Sequence, residues 1–141
     1  MNSEAYAARL DGYRQALWDC GVEVDESVVY YDTILRETGF EAGLKALDAG
    51  CDALYSAGDF SALGAIDAAR SRGLRIPEDF GIVGTANESF TALMTPSMRS
   101  LALNPFEMGR QAAQAFLSGA EGTIVVPMEL KVRESSTRRK Q

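Results

Sequence analysis

Apolar residues first recur with helical spacing near the start of the chain. Tyr6, Leu10, Tyr13 and Leu17 fall 4, 3 and 4 positions apart and predict an amphipathic helix over residues 4–19. Ser3 suits its N-cap and Gly21 its stop. Gly12 inside it costs about 1 kcal/mol relative to alanine, which implies close packing against a neighbour. The β-branched and aromatic run Val28-Val29-Tyr30-Tyr31 reads as a strand. A second helix covers residues 35–48, with Phe40, Leu44 and Leu47 on one face and Gly50 closing it. Ala53-Leu54-Tyr55-Ser56 is the next strand. A helix then runs from Asp59 to Arg72 and stops at Gly73, and Ala62, Ala65, Ala68 and Ala69 let it approach a sheet closely. Pro77-Glu78-Asp79 is a loop, and Phe80-Gly81-Ile82-Val83-Gly84 a buried strand.

Strands alternating with helices at this spacing predict an α/β fold: a parallel sheet flanked by helices. In such sheets ligands sit beyond the carboxyl ends of the strands, here residues 31–36, 56–60 and 84–90. A helix that opens the chain ahead of a parallel sheet also predicts a missing strand before it. The last third reads differently. Residues 85–104 look mostly irregular, and a helix follows over 106–118, with Phe106, Gly109, Ala113 and Phe116 on one face and Pro105 at its first turn. Val125-Val126 and residues 128–132 read as short strands, and the chain from Glu134 as a loose tail.

Composition narrows the function. The chain has 141 residues, enough for one domain with an apolar core, and 46% hydrophobic with 24% charged residues is ordinary globular usage. No segment has the length and apolarity of a membrane helix, and no signal peptide is visible, so a cytoplasmic location is expected. Net charge is −6, and the one basic run, Arg138-Arg139-Lys140, lies at the extreme end. DNA binding is therefore not expected of this chain alone. With no histidine, metal sites and histidine-based catalysis lose their commonest group; no cofactor is expected. Cys20 and Cys51 read as buried or half-buried thiols, not a disulfide framework.

Candidate chemistry is sparse. Gly81 and Gly84 lack the further glycines or the Gly-Lys-Ser/Thr of a phosphate loop. Asp59 stands between a strand and a helix, where its carboxylate can cap the helix and also border a cleft. Arg9 lies away from the Tyr6–Tyr13–Leu17 stripe and reads on its own as solvated. Asn87 and Glu88 read as turn residues. A small hydrolase acting through Asp59 or Glu88 is a rival reading, without a visible partner for either acid. A non-enzymatic ligand-sensing module fits better.

Several stretches, in order, carry a resemblance. They are Arg9-Leu-Asp-Gly12-Tyr13-Arg-Gln-Ala16-Leu17, Thr38-Gly39-Phe40-Glu41-Ala42, and the run from Asp52 through Asp59 to Ala65. Then come the run from Gly73 through Pro77-Glu78-Asp79 to Gly84, Thr95-Pro96-Ser-Met-Arg-Ser100 leading to Glu107-Met-Gly109-Arg110, and Glu129-Leu130-Lys-Val-Arg133-Glu134-Ser135. Together they resemble the C-terminal part of the effector-binding domain of LacI/GalR-family transcription regulators. The resemblance implies an incomplete lobe of the type I periplasmic-binding-protein-like fold. Residues 1–100 would form most of the C-terminal lobe, 101–125 a crossover segment and helix of the N-terminal lobe, and 126–141 the return and tail.

The resemblance further implies a homodimer, a small-molecule effector between lobes, and DNA binding through an N-terminal domain absent from this chain. A periplasmic sugar-binding protein shares the fold and is the other rival; the Arg133-Glu134-Ser135 ending and the run around Pro77 favour a regulator. Effector positions transfer unevenly. The cleft arginine is kept as Arg9. The stacking aromatic is Ile34, the asparagine of an Asn-Asp pair is Gly58 while Asp59 keeps the aspartate, and a Gly-Phe-Asp-Asp stretch has become Gly84-Thr85-Ala86-Asn87. The polar position near the crossover is Leu103. Ala86 thus replaces a usual partner of sugar hydroxyls, so an effector other than an ordinary sugar is expected. The 106–118 helix is expected to pack on another copy, swap, or fold back on the sheet, since its usual cover is absent.

Overall fold

A computed structural model describes residues 4–31 and 33–137. The N-cap expected at Ser3 and the basic run at 138–140 lie outside the described residues. Nine elements follow in order: α1 (Glu4–Asp19), α2 (Arg36–Asp48), β1 (Ala53–Tyr55), α3 (Asp59–Ser71), β2 (Gly81–Ala86), α4 (Phe90–Leu93), β3 (Arg99–Ala102), α5 (Pro105–Ser118) and β4 (Glu129–Lys131). Short 3₁₀ turns occupy Glu26–Val28 and Glu134–Ser136. The sheet has the order β1-β2-β3-β4; β1–β2 and β2–β3 are parallel, and β4 adds antiparallel to β3. The architecture is an α/β sheet flanked by helices, with one antiparallel strand added to the expected parallel set.

The core lies between α3 and the sheet. Ile66, Phe80, Ile82 and Met98 are fully buried with Ala62, Ala65 and Ala69, and Leu54, Leu74 and Phe90 pack around them. The alanines of α3 serve a second contact, against α2. A Cβ on Gly64 would lie 2.0 Å from the Arg36 carbonyl oxygen, and one on Gly39 would lie 2.2 Å from that of Ser61. Two backbones therefore meet where only glycine fits.

Several expectations change. Residues 28–31 are not a strand: a 3₁₀ turn ends at Val28, and Tyr30 and Tyr31 pair with no strand among the described residues. β-Propensity records fit to a paired, half-buried surface, and without a neighbour it builds no strand. Residues 85–104 are more regular than expected, because β3 lies inside the sheet between β2 and β4. Its Ser100, polar by sequence, is fully buried on hydrogen bonds that only the fold supplies. Val125-Val126 forms no strand, and Val125 is exposed. Gly12 faces open space, so it marks no close packing. Cys20 is exposed, whereas Cys51 is half-buried.

Residues 134–136 are anchored, not loose. The Ser135 hydroxyl donates to the Ile82 carbonyl (2.7 Å) and accepts from the Arg99 N–H (2.9 Å), bridging β2 and β3. Glu134 accepts from the backbone N–H (2.8 Å) and hydroxyl (2.9 Å) of Ser97, which holds its carboxyl below the usual 4.5. At the other extreme, α5 buries no residue. Phe106 and Phe116 are more than four-fifths exposed, so this helix does not fold back on the sheet through that face.

Candidate functional site

The carboxyl ends of β1 and β2 open toward the turns that begin α3 and α4. Ser56, just past β1, donates its hydroxyl to the Gly58 carbonyl (2.8 Å), and Thr85 of β2 donates to the Ser56 carbonyl (3.0 Å). These bonds fix the two strand ends against each other.

Asp59 is the first residue of α3, and Gly58 is its N-cap; no side chain caps the helix. The expected capping role is replaced by a long-range one. Asp59 is 2% exposed, and its two oxygens accept from the Ser100 hydroxyl (2.7 Å) and the Glu88 N–H (2.8 Å). A Cβ on Gly84 would lie 2.1 Å from the Asp59 Oδ1, so the glycine of β2 makes room for this carboxylate. A buried charge requires such partners, and these two fill its inward-facing positions.

The β2–α4 turn carries backbone strain. Ala86 and Asn87 have φ of 122° and 61°, values that residues other than glycine seldom adopt. What holds the turn is visible. The Asn87 N–H donates to the Ser100 hydroxyl (3.0 Å), and the Asn87 Oδ1 accepts from Arg133 (2.8 Å). Arg133 also donates to the Thr91 hydroxyl (3.1 Å) and the Met98 carbonyl (2.9 Å). Sequence reasoning did not single out Ser100 or Arg133 as members of the site. Their only sequence signal was their place in the quoted stretches, since their partners are 41 and 46 residues away.

Arg9 projects from α1 toward the end of β1. Its guanidinium donates to the Ala57 carbonyl (3.4 Å) and lies over the Tyr6 ring at 5.1 Å, so it shares the face of Tyr6, from which the sequence pattern had separated it. No carboxylate pairs with it among the described residues. Arg9 stands at the junction of two open clefts. One, of about 450 Å³, runs to α5 and the following segment and is bordered by Leu103, Met108, Gln111, Ile124 and Val126. The other, of about 520 Å³, lies between α1 and Tyr55. Met128 borders both.

The remaining candidate positions scatter. Ile34 is 63% exposed and borders neither cleft. Gly58 has extended backbone with open space where a side chain would stand. Ala86 stays at the end of β2 with its methyl in place of a hydrogen-bonding group. Glu88 is exposed, and its backbone, not its carboxylate, meets Asp59. The Cys51 thiol is pushed up by burial, which lowers its nucleophilic fraction. Among the described residues no group of three or more side chains could hold a metal ion, and no helix is long and apolar enough to cross a membrane.

Comparison with known proteins fits this arrangement. The model of the periplasmic binding protein-like domain family matches residues 2–136. The chain is 33% identical over 136 residues to the transcriptional regulator DegA of Bacillus subtilis, covering 92% of this chain and 40% of the relative. It is 35% identical over 123 residues to the transcriptional repressor CytR of Escherichia coli, covering 83% and 35%. Among solved structures, a complex of the regulator CelR with cellobiose superposes with TM-score 0.82 at 33% identity, over 91% of this chain and 42% of that one. A LacI-family regulatory protein of Chloroflexus aggregans gives 0.86 at 26% identity, over 97% and 52%. The chain thus spans well under half the length of these curated relatives, and it belongs to the periplasmic binding protein-like domain family, with its similarity lying within regulators of the LacI type.

Proposed function

We propose that this chain is the C-terminal portion of the effector-sensing domain of a DNA-binding regulator that works as a cytoplasmic homodimer. Residues 1–100 supply most of one lobe, residues 101–125 cross to the other lobe, and residues 126–141 return. The observation that carries the reading is Arg9, placed without an acidic partner among the described residues where the end of β1, Leu103 and α5 converge. A small-molecule effector contacts Arg9 there. Asp59, Asn87, Gly58 and Ala86, the other proposed effector positions, lie at the strand ends outside the linings of the two clefts, where Asp59 and Asn87 hold the ends of the sheet together.

DNA is read by another part of the intact protein, consistent with the net charge of −6 here. The effector changes the spacing of two DNA-binding heads in the dimer, and the dimer reads two half-sites at fixed separation. Effector and DNA are then coupled by about 1–3 kcal/mol, a change of roughly 5–150-fold in operator affinity. Fluorescence anisotropy of labelled operator DNA with the intact regulator measures this directly. Operator affinity that stays constant while a ligand saturates the Arg9 cleft would refute the reading. The chain by itself should show no sequence-specific DNA binding in the same assay.

A further inference from the structure

We propose that Arg133 is a conformational clamp: it holds the turn after β2 in a left-handed form and so ties that turn to the segment in which the chain returns after α5. Residues 86–88 are held in a shape they would not keep by themselves. Ala86 has φ of 122° and Asn87 of 61°, and two successive non-glycine residues in this region are costly. Asparagine tolerates the left-handed region because its short side chain can bond to local backbone. Here the Asn87 Oδ1 accepts instead from Arg133 (2.8 Å), 46 residues away. The backbone of the turn also points to distant partners. The Asn87 N–H donates to the Ser100 hydroxyl (3.0 Å), and the Glu88 N–H donates to Asp59 (2.8 Å). The conformation is therefore imposed by tertiary contacts.

Among these contacts Arg133 has a distinct place. Ser100 and Asp59 belong to β3 and α3, whereas Arg133 follows β4, which joins the sheet after the excursion through α5. Its guanidinium is a rigid fork. One nitrogen meets Asn87, and the other meets the Thr91 hydroxyl (3.1 Å) and the Met98 carbonyl (2.9 Å). The Thr91 hydroxyl donates onward to the Glu88 carbonyl (2.6 Å), which closes a ring of bonds around the turn. The residues after Arg133 fix where the fork stands, through Glu134 on Ser97 and Ser135 on β2 and β3. A shift of the return segment along β3 would withdraw the fork and let the turn relax. Movement between lobes would then reach the turn through this side chain. That consequence rests on the lobe arrangement proposed above, and the clamp itself does not.

Nuclear magnetic resonance of the 141-residue chain without added ligand tests the clamp. The strong intraresidue N–H to Hα contact of a positive φ reports the shape of residue 87, and amide exchange at Glu88 reports the closed turn. Arg133→Gln should weaken the first signal and speed the second by about tenfold or more. Arg133→Lys keeps the charge and loses the fork; it should act in the same direction by about threefold or more, and it carries the test if the glutamine variant does not fold. Glycine adopts positive φ without a steric penalty, so adding Asn87→Gly to either variant should return Glu88 exchange to within about threefold of the parent. A side chain that merely glues α4 to β3 would not be rescued in this way. Residue 87 keeping its positive φ in the Arg133 variants, Glu88 exchange unchanged in them, or exchange still fast in the glycine double variants would overturn the clamp. No effector enters the experiment, so the clamp and the effector reading fail separately.

Discussion

At Asp59 one carboxylate ties α3 to β3 and to the turn after β2. Alanine there would leave the Ser100 hydroxyl and the Glu88 N–H without their acceptor. Such buried orphans cost about 1–3 kcal/mol, and urea denaturation of Asp59→Ala should show a loss in that range. Arg9→Ala removes one exposed bond and should stay within about 0.5 kcal/mol of the parent in the same assay. Equal losses would contradict the division between a buried residue that ties the strand ends together and one that faces the cleft. The sequence placed Asp59 correctly at a strand end, because a strand–turn–helix boundary is a local pattern. It could not supply Ser100 as a partner, since nothing local pairs residues 41 positions apart. The same distance hid Arg133, whose bond to Asn87 holds the turn after β2.

Among the elements, α2, α3 and the end of the sheet form the firm part. Their crossing depends on glycine. Gly64→Ala would push a methyl into the Arg36 carbonyl and should cost about 1–3 kcal/mol as overpacking, read as a lowered thermal midpoint. Gly12→Ala meets open space in a helix interior and should stabilise slightly, by up to about 1 kcal/mol. The sequence pattern had pointed to close packing at Gly12 and gave no sign of it at Gly64, because a glycine in a helical pattern looks the same whether or not a neighbour lies against it. Helical periodicity made α1, α2, α3 and α5 legible. Strands were less so: residues 28–31 look like a strand and lack a partner, whereas β3 looks irregular and is paired on both sides. Hydrogen exchange should follow burial. Amides of α1 and α5, which bury no residue, should exchange well before those of α3 and β2. Protection of α5 equal to that of α3 in the isolated chain would mean that another surface covers Phe106 and Phe116.

For the whole molecule, the return of the chain through Glu134 links stability to pH. Two hydrogen bonds from Ser97 lower the folded pKa of Glu134 below its usual 4.5. A depressed folded pKa gives stability that is present above the unfolded value and lost as pH falls through the folded one. Urea midpoints should therefore decline as pH drops below 4.5, and Glu134→Gln should flatten part of that decline; an unchanged acid limb would show that this tie contributes nothing. Glu107, lowered to about 2 chiefly by its bond to Arg110, titrates in the same direction but lies within one exposed helix. The Glu134 tie stabilises the part of the chain that carries Arg9, which we propose contacts an effector whose binding an intact dimer would relay to DNA. The most direct test is the effector dose response of operator binding by the intact regulator and its Arg9→Ala variant. The proposed Arg9 contact predicts that the variant binds operator normally without effector and needs about tenfold or more effector for the same response. A dose response unchanged by Arg9→Ala would contradict it.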